Sequence, residues 1–263
     1  MSLLINESIK LYSKKSTILV ILITFLMGFF TAPFEKHLLD LNDGAQYVSY
    51  LGNTYSFINL FVVIIASTII TSEFSQGTIT FLLIRPYSRY AIFLSKIVTM
   101  NLFLILISCV LLIASIFAAY VFFEQHQLFI STNQFQGYSA VGLSTKTLIA
   151  NALLCLLYIS ICVFISTILR TQAFTVGICV ALLFSSSLLN LMSSYLIDKV
   201  SSYFKWNVFN MLNVRNLIIK SEFSVNTELN TNEAILGVIL YSVLFFIISY
   251  LVFSKREIFK MES

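Results

Sequence analysis

Charge is what this sequence has least of. Of 263 residues, only 11% are Asp, Glu, Lys or Arg, against about 25% in an ordinary soluble domain. A water-soluble chain of this length cannot cover its surface with so few. Proline and glycine are also scarce, at 2 and 8 residues, which excludes collagen-like and Pro/Gly-rich low-complexity chains. Disorder is excluded for the opposite reason: 58% of the residues are hydrophobic and the mean hydropathy is +0.91. The cysteines (Cys109, Cys155, Cys162 and Cys179) sit singly in apolar runs, which is no disulfide scaffold. Cys155 and Cys162 stack on one helix face two turns apart, too far to bridge each other. The two histidines, His37 and His126, fall in separate loops with no companion metal ligands. There is no G-x-x-x-x-G-K-[ST] phosphate loop, since Gly77 is followed by Thr78 with no lysine, and no H-E-x-x-H or C-x-x-C. Nothing in the overall charge of +4 calls for a nucleic acid.

What is present is a series of long uncharged runs. They are Ser16–Phe34, Gly44–Ser72, Ile97–Phe123, Thr147–Leu169, Thr171–Ile197 and Ala234–Ser254, of 19, 29, 27, 23, 27 and 21 residues. A bilayer core about 30 Å thick is crossed by roughly 20 apolar helical residues. Lipid leaves backbone amides no partner outside their own segment, so helices are the default. A β-barrel would alternate apolar and polar residues, and Ile18–Leu26 and Leu102–Val110 do not. The sequence predicts an all-α polytopic membrane protein forming a single transmembrane domain over 1–263. Its spans are 16–34, 54–72, 97–123, 147–169, 171–197 and 234–254. The first run exceeds the apolar core of a signal peptide and meets Pro33 where a cut would fall, so it is expected to remain as a helix.

Basic residues set the expected orientation. The side holding the N-terminus carries ten: Lys10, Lys14, Lys15, Arg85, Arg89, Lys96, Arg170, Lys255, Arg256 and Lys260. The other side carries six on longer segments, together with eight of the 12 acidic residues. Both termini are therefore expected in the cytoplasm. Residues 1–15 read as an amphipathic interfacial helix, with Leu4, Ile5, Ile9, Leu11 and Tyr12 on one face and Asn6, Glu7, Lys10, Ser13 and Lys14 on the other.

Two connections stand out. The external stretch 198–233 interleaves aromatic and aliphatic residues with Asn, Lys and Arg, too polar to span and too apolar to float free. It reads as short interfacial or re-entrant helices. Tyr203, Phe204, Trp206 and Phe209 there form either an aromatic belt or an external gate. Within the spans the polar residues are neutral: Asn59, Asn101, Asn151, Gln172 and Asn190. These read first as interhelical glue. A cation-coupled pump would keep ionisable groups near the midplane, so any energy for transport must come from elsewhere. Lys36, in the short loop after the first span, reads as a bystander.

The internal loop 73–96 is the other. Helix 2 ends near Glu73, and Gly77 allows a bend. Thr78–Ile84 forms a short apolar helix outside the bilayer, Arg85-Pro86 breaks it, and Ser88 caps the helix that runs through Lys96. Glu73 lies close enough to pair with Arg85, Arg89 or Lys96. An apolar helix in the cytosol calls for a partner surface.

The string Glu73-x-x-x-Gly77-Thr78-x-x-x-Leu82-x-x-Arg85-Pro86-x-Ser88-Arg89, followed by Lys96, resembles the signature of the type-2 permeases of bacterial ATP-binding-cassette (ABC) transporters. The resemblance covers about 25 residues closely and the rest only in layout. It implies a permease in the bacterial cytoplasmic membrane, paired with a second permease chain as homodimer or heterodimer. Each chain would rest on a separate ATPase subunit. ATP and Mg would bind that ATPase; no catalytic residue, cofactor or metal is expected on this chain. The loop would be the coupling helix, with Glu73, Gln76, Gly77, Thr78, Leu82, Arg85, Pro86, Ser88 and Arg89 at or beside the ATPase contact. A path of Phe, Tyr, Ser and Asn favours hydrophobic or amphipathic cargo: antimicrobial or toxin peptides, lipids or drugs. Two rival classes remain in view. One is a sensor or immunity protein that binds peptide without moving it. The other is a membrane-embedded enzyme, which would need converging His, Asp or Glu.

Overall fold

The computed structural model describes residues 2–38, 43–51, 54–75, 88–124, 127–131, 135, 137–169, 171–219 and 227–255. Among them there is no strand; Ser131 and Ser139 form an isolated antiparallel bridge. The helices are α1 Ser2–Tyr12, α2 Lys15–Leu38, α3 Gly44–Tyr50, α4 Tyr55–Ser75, α5 Arg89–Phe122, α6 Ala140–Ile168, α7 Gln172–Lys199, α8 Val214–Ile219 and α9 Thr231–Lys255. Two 3₁₀ turns, Ser202–Trp206 and Asn210–Asn213, precede α8. Among the described residues, six stretches are long and apolar enough to cross a membrane: α2, Gly44–Glu73 (α3 and most of α4), α5, α6, α7 and α9. The protein is all-helical over the described residues and multi-pass.

The helices outrun the uncharged segments that predicted them. α5 starts at Arg89, directly after the Ser88 cap as expected, runs through Lys96 and spans 34 residues, about 50 Å of helix. α6 starts at Ala140 rather than 147, and α2 continues to Leu38 rather than 34. In each case a charge with a local partner lies inside the helix. Lys146 sits 4.7 Å over the Tyr138 ring. Lys36, expected to be a bystander, donates to the carbonyl of Phe122 at 2.8 Å and lies over the Phe123 ring. It therefore caps the C-terminus of α5, where a cation is favoured. Side-chain caps also mark starts: Ser88 Oγ accepts from Ala91 N, Ser139 Oγ from Gly142 N and Asp43 Oδ1 from Ala45 N. The second uncharged run is broken, because Leu51 takes a left-handed conformation at the end of α3.

The chain divides into two compact units. The first comprises Met1–Ser8, Leu60–Asn101 and Leu153–Ser263; the second comprises Ile9–Asn59 and Leu102–Ala152. The core of the second unit gathers Ala32, Tyr47, Val48, Ala118, Phe123, Leu128 and Leu143. α2 and α5 approach closely at Gly28, where a Cβ would lie 2.9 Å from Leu111 Cδ1 and 3.0 Å from Ala114 Cβ. Tyr47 fastens α3 there by donating its hydroxyl to the Gly28 carbonyl at 2.6 Å, with Thr31 Oγ1 2.9 Å away. Asn151 Nδ2 donates to Asn59 Oδ1 at 2.8 Å, both residues buried. This pair is the predicted interhelical glue, whereas Asn101 bonds only its own helix, at Ile97 O.

In the first unit, the stretch after α7 folds back as the two 3₁₀ turns and α8. The turns pack on α7 and α9, and α8 on α9. Asn210 ties them by donating to the carbonyls of Lys205 and Thr227 at 2.8 and 3.0 Å. Gly237 of α9 lets Met211 pack against it; any Cβ at 237 would overlap the Met211 sulfur. Glu233 reaches back to accept from Asn230 N at 3.1 Å, the acidic half of a capping box that starts α9. Cys162 of α6 and Cys179 of α7, both buried, lie beside each other, a proximity that reading each cysteine singly had missed.

Candidate functional site

Among the described residues, a cluster of buried charge lies in the first unit, on either side of residues 76–87 in sequence. Lys96, on the second turn of α5, is 2% exposed. Its ammonium meets Glu73 Oε1 of α4 at 2.5 Å and Glu7 Oε2 of α1 at 3.0 Å. Burying a charge in such surroundings is costly unless it is paired and hydrogen-bonded. Lys96 is paired twice, so the trio carries a net charge of −1.

Each member arrives by its own local logic. Glu73 follows the last apolar turns of α4, where the sequence places the end of the span. Lys96 comes two turns after the Ser88 cap and so points back along the same depth. Glu7 and Leu11, one helical turn apart, are the buried positions of α1, while Ile5 and Ile9 are more than half exposed. This differs from the amphipathic reading of residues 1–15, which put Glu7 on a uniformly polar face. Its partner is 89 residues away, beyond the reach of any local pattern.

A second tie holds the same base. Arg89 Nη1 donates to the carbonyl of Ser254 at 2.5 Å. Tyr90 and Phe93 set their rings against Tyr250, and Phe93 also against Phe253, on the last turns of α9. Four segments distant in sequence (α1, the end of α4, the start of α5 and the end of α9) are thus tied together.

Of the residues expected at a partner contact, Glu73, Ser88 and Arg89 are placed by the structure. Ser88 and Arg89 are exposed or engaged at the helix start, and Glu73 is buried in the trio. Among its three suggested partners, Glu73 meets Lys96. Gln76, Gly77, Thr78, Leu82, Arg85 and Pro86 lie outside the described residues.

The aromatic set expected as a belt or gate is spread over the turns after α7. Tyr203 stands out at 89% exposure, and Phe204 and Trp206 are less exposed. The Trp206 carbonyl accepts from the Tyr241 hydroxyl at 2.5 Å. Phe209 is partly buried beside the second turn. Arg215 of α8 is one of the six basic residues counted on the external side. It lies within electrostatic reach of Cys155 and Tyr158 of α6 and donates to Asn216 Oδ1.

Two Bacillus subtilis (strain 168) proteins are similar in sequence. One, an uncharacterized protein YhcI, is 23% identical over 233 residues, covering 85% of this chain and 72% of its own length. The other, an uncharacterized membrane protein YdbK, is 30% identical over 148 residues, covering 55% of this chain and 54% of its own. A family model described as a protein of unknown function (DUF2705) matches residues 17–259, and the chain belongs to that family.

Proposed function

We propose that this chain is the membrane-spanning permease subunit of an ATP-driven ABC transporter. In this reading the 76–87 loop is the coupling element and a separate ATPase subunit supplies the energy. The observation that carries the proposal is the clamped loop base. The motif from Glu73 to Lys96 resembles the type-2 permease signature, and its two ends are fixed by a buried ion trio and by the Arg89–Ser254 bond. A loop that relays force from a partner to the spans needs stiff footings, because a push on a loose base dissipates in the loop. The six candidate spans agree with that layout. α1 would lie along the cytoplasmic interface with Ile5 and Ile9 toward lipid. The cargo is hydrophobic or amphipathic. A second permease chain completes the path, and no chemistry is catalysed on this chain.

The test is copurification and transport. Tagged protein extracted from its native membrane brings down a phosphate-loop ATPase, in a complex holding two permease chains. Leu82→Asp releases that ATPase, since it sets a charge in an apolar contact. Glu73→Ala lowers substrate-stimulated ATP hydrolysis and export while the protein still inserts. If the protein binds peptide normally but neither recruits an ATPase nor supports ATP-dependent flux, it is the sensor or immunity protein instead.

A further inference from the structure

An apolar groove of about 490 Å³ runs along the exposed face of α9, from Gly237 to Ile248. Leu240, Leu244, Ile247 and Ile248 form its floor, and Trp206 and Tyr241 stand at its upper end. From residue 237 to 248 the helix rises about 16 Å. Half of a hydrocarbon core about 30 Å thick is about 15 Å. The groove is thus about as long as one leaflet is thick, and it starts nearly two turns into α9, which runs from Thr231 to Lys255.

Its upper rim has the chemistry of a membrane–water interface. Trp206 is about two-fifths exposed and held in place by the Tyr241 hydroxyl on its carbonyl. Lys205 lies 5.8 Å over the indole ring and faces Glu233 at 3.9 Å, with both charged groups partly exposed. That distance is long for an ion pair, and Glu233 already accepts from Asn230 N. The Lys205 ammonium therefore has donors to spare beside the indole that lines the groove.

We infer that this groove binds one acyl chain of an anionic phospholipid from the adjoining leaflet, with the lipid phosphate on Lys205. The groove's depth fits a chain rather than a side chain or a helix. Its rim supplies a cation where the headgroup of such a chain would lie, and an aromatic ring of the type that settles at that level. This inference goes beyond the permease reading and holds without it, since it requires only that α9 span the bilayer.

Trp206 is the single tryptophan of the chain, so its fluorescence reports the groove alone. The full-length protein is reconstituted in phosphatidylcholine vesicles. These contain a minority of either phosphatidylglycerol or phosphatidylcholine with brominated acyl chains. Brominated phosphatidylglycerol is expected to quench Trp206 as though enriched roughly fivefold over its mole fraction, the preference one lysine gives near a membrane surface. Brominated phosphatidylcholine quenches only in proportion to its mole fraction. Lys205→Gln removes the difference between the two lipids. Leu244→Phe, which fills the groove, lowers quenching by both. Soluble glycerol phosphate leaves the phosphatidylglycerol effect unchanged, which separates a lipid headgroup from a free phosphate site. Equal quenching by the two lipids in the unaltered protein overturns the inference, as does a preference that survives Lys205→Gln. Quenching that Leu244→Phe leaves untouched overturns it too.

Discussion

Replacing Lys96 by Met tests the buried trio most directly. The change conserves length and apolar bulk but removes the cation. Glu7 and Glu73 then lose the ammonium they share, at side-chain exposures of 11% and 4%. Breaking a buried pair by removing one partner costs about 3–5 kcal/mol. For a chain of this size each kcal/mol lowers the melting temperature by roughly 2–4 °C, so Lys96→Met should melt about 6–20 °C lower. The acids are not equivalent to the base. Glu73→Gln leaves Lys96 paired with Glu7 at 3.0 Å and an amide that still accepts, so its cost is about 1 kcal/mol. Glu7→Gln, at the more exposed position, should cost less still. The triple variant Glu7→Gln, Glu73→Gln, Lys96→Met has no buried charge left at the site and should recover most of the loss. The assay is thermal unfolding of purified protein in lipid nanodiscs, followed by a thiol-reactive dye or by circular dichroism. A single Lys96→Met variant melting within a degree or two of the parent, or a triple variant no better than the single, would refute the reasoning.

Lys36→Ala removes the cap on the Phe122 carbonyl and should cost about 1–2 kcal/mol, while Gln127→Ala on the exposed loop leaves the melting temperature unchanged; parallel melting curves of the two compare them directly. Asn151→Leu should cost about 1–2 kcal/mol and the double change Asn59→Leu, Asn151→Leu clearly less than the sum of the two singles, a coupling read from a double-mutant cycle. Gly28→Ala should cost about 1–3 kcal/mol by forcing α2 from α5, and Ala114→Gly in the same chain should return part of it. For topology, Ile130→Cys in a Cys109→Ala background should react with an impermeant thiol reagent on intact cells, while Ser75→Cys should react only after lysis. Labelling in the reverse order overturns the proposed orientation.

The six spans were legible because lipid penalises charge so heavily that a run without charge is itself the signal. The ends of the helices were not legible in the same way. A charge stops a helix at the membrane edge only if it must reach water. Lys36 reaches the Phe122 carbonyl, Lys96 reaches two carboxylates and Lys146 reaches the Tyr138 ring. Each is compensated in place, so α2, α5 and α6 run on past the boundary that counting charges would set.

The base of the loop shows what a close reading of charge could still have recovered. Glu73 was expected to pair with Arg85, Arg89 or Lys96, and it meets Lys96: one ends a span and the other begins the next, so the bilayer itself brings them to one depth. The same reasoning extends to Glu7. A carboxylate on a short helix that precedes a span on the same side sits at that depth as well, and Lys96 is the cation nearest the apolar boundary there. What no pattern in the sequence supplies is the direction α1 takes over the bundle. That direction is set by packing, and the structure shows its result in the burial of Glu7 and Leu11 beside the exposure of Ile5 and Ile9. An amphipathic helix has two ways to satisfy its polar face, water or a buried partner. The second requires a cation already waiting at the right depth, and Lys96 is that cation.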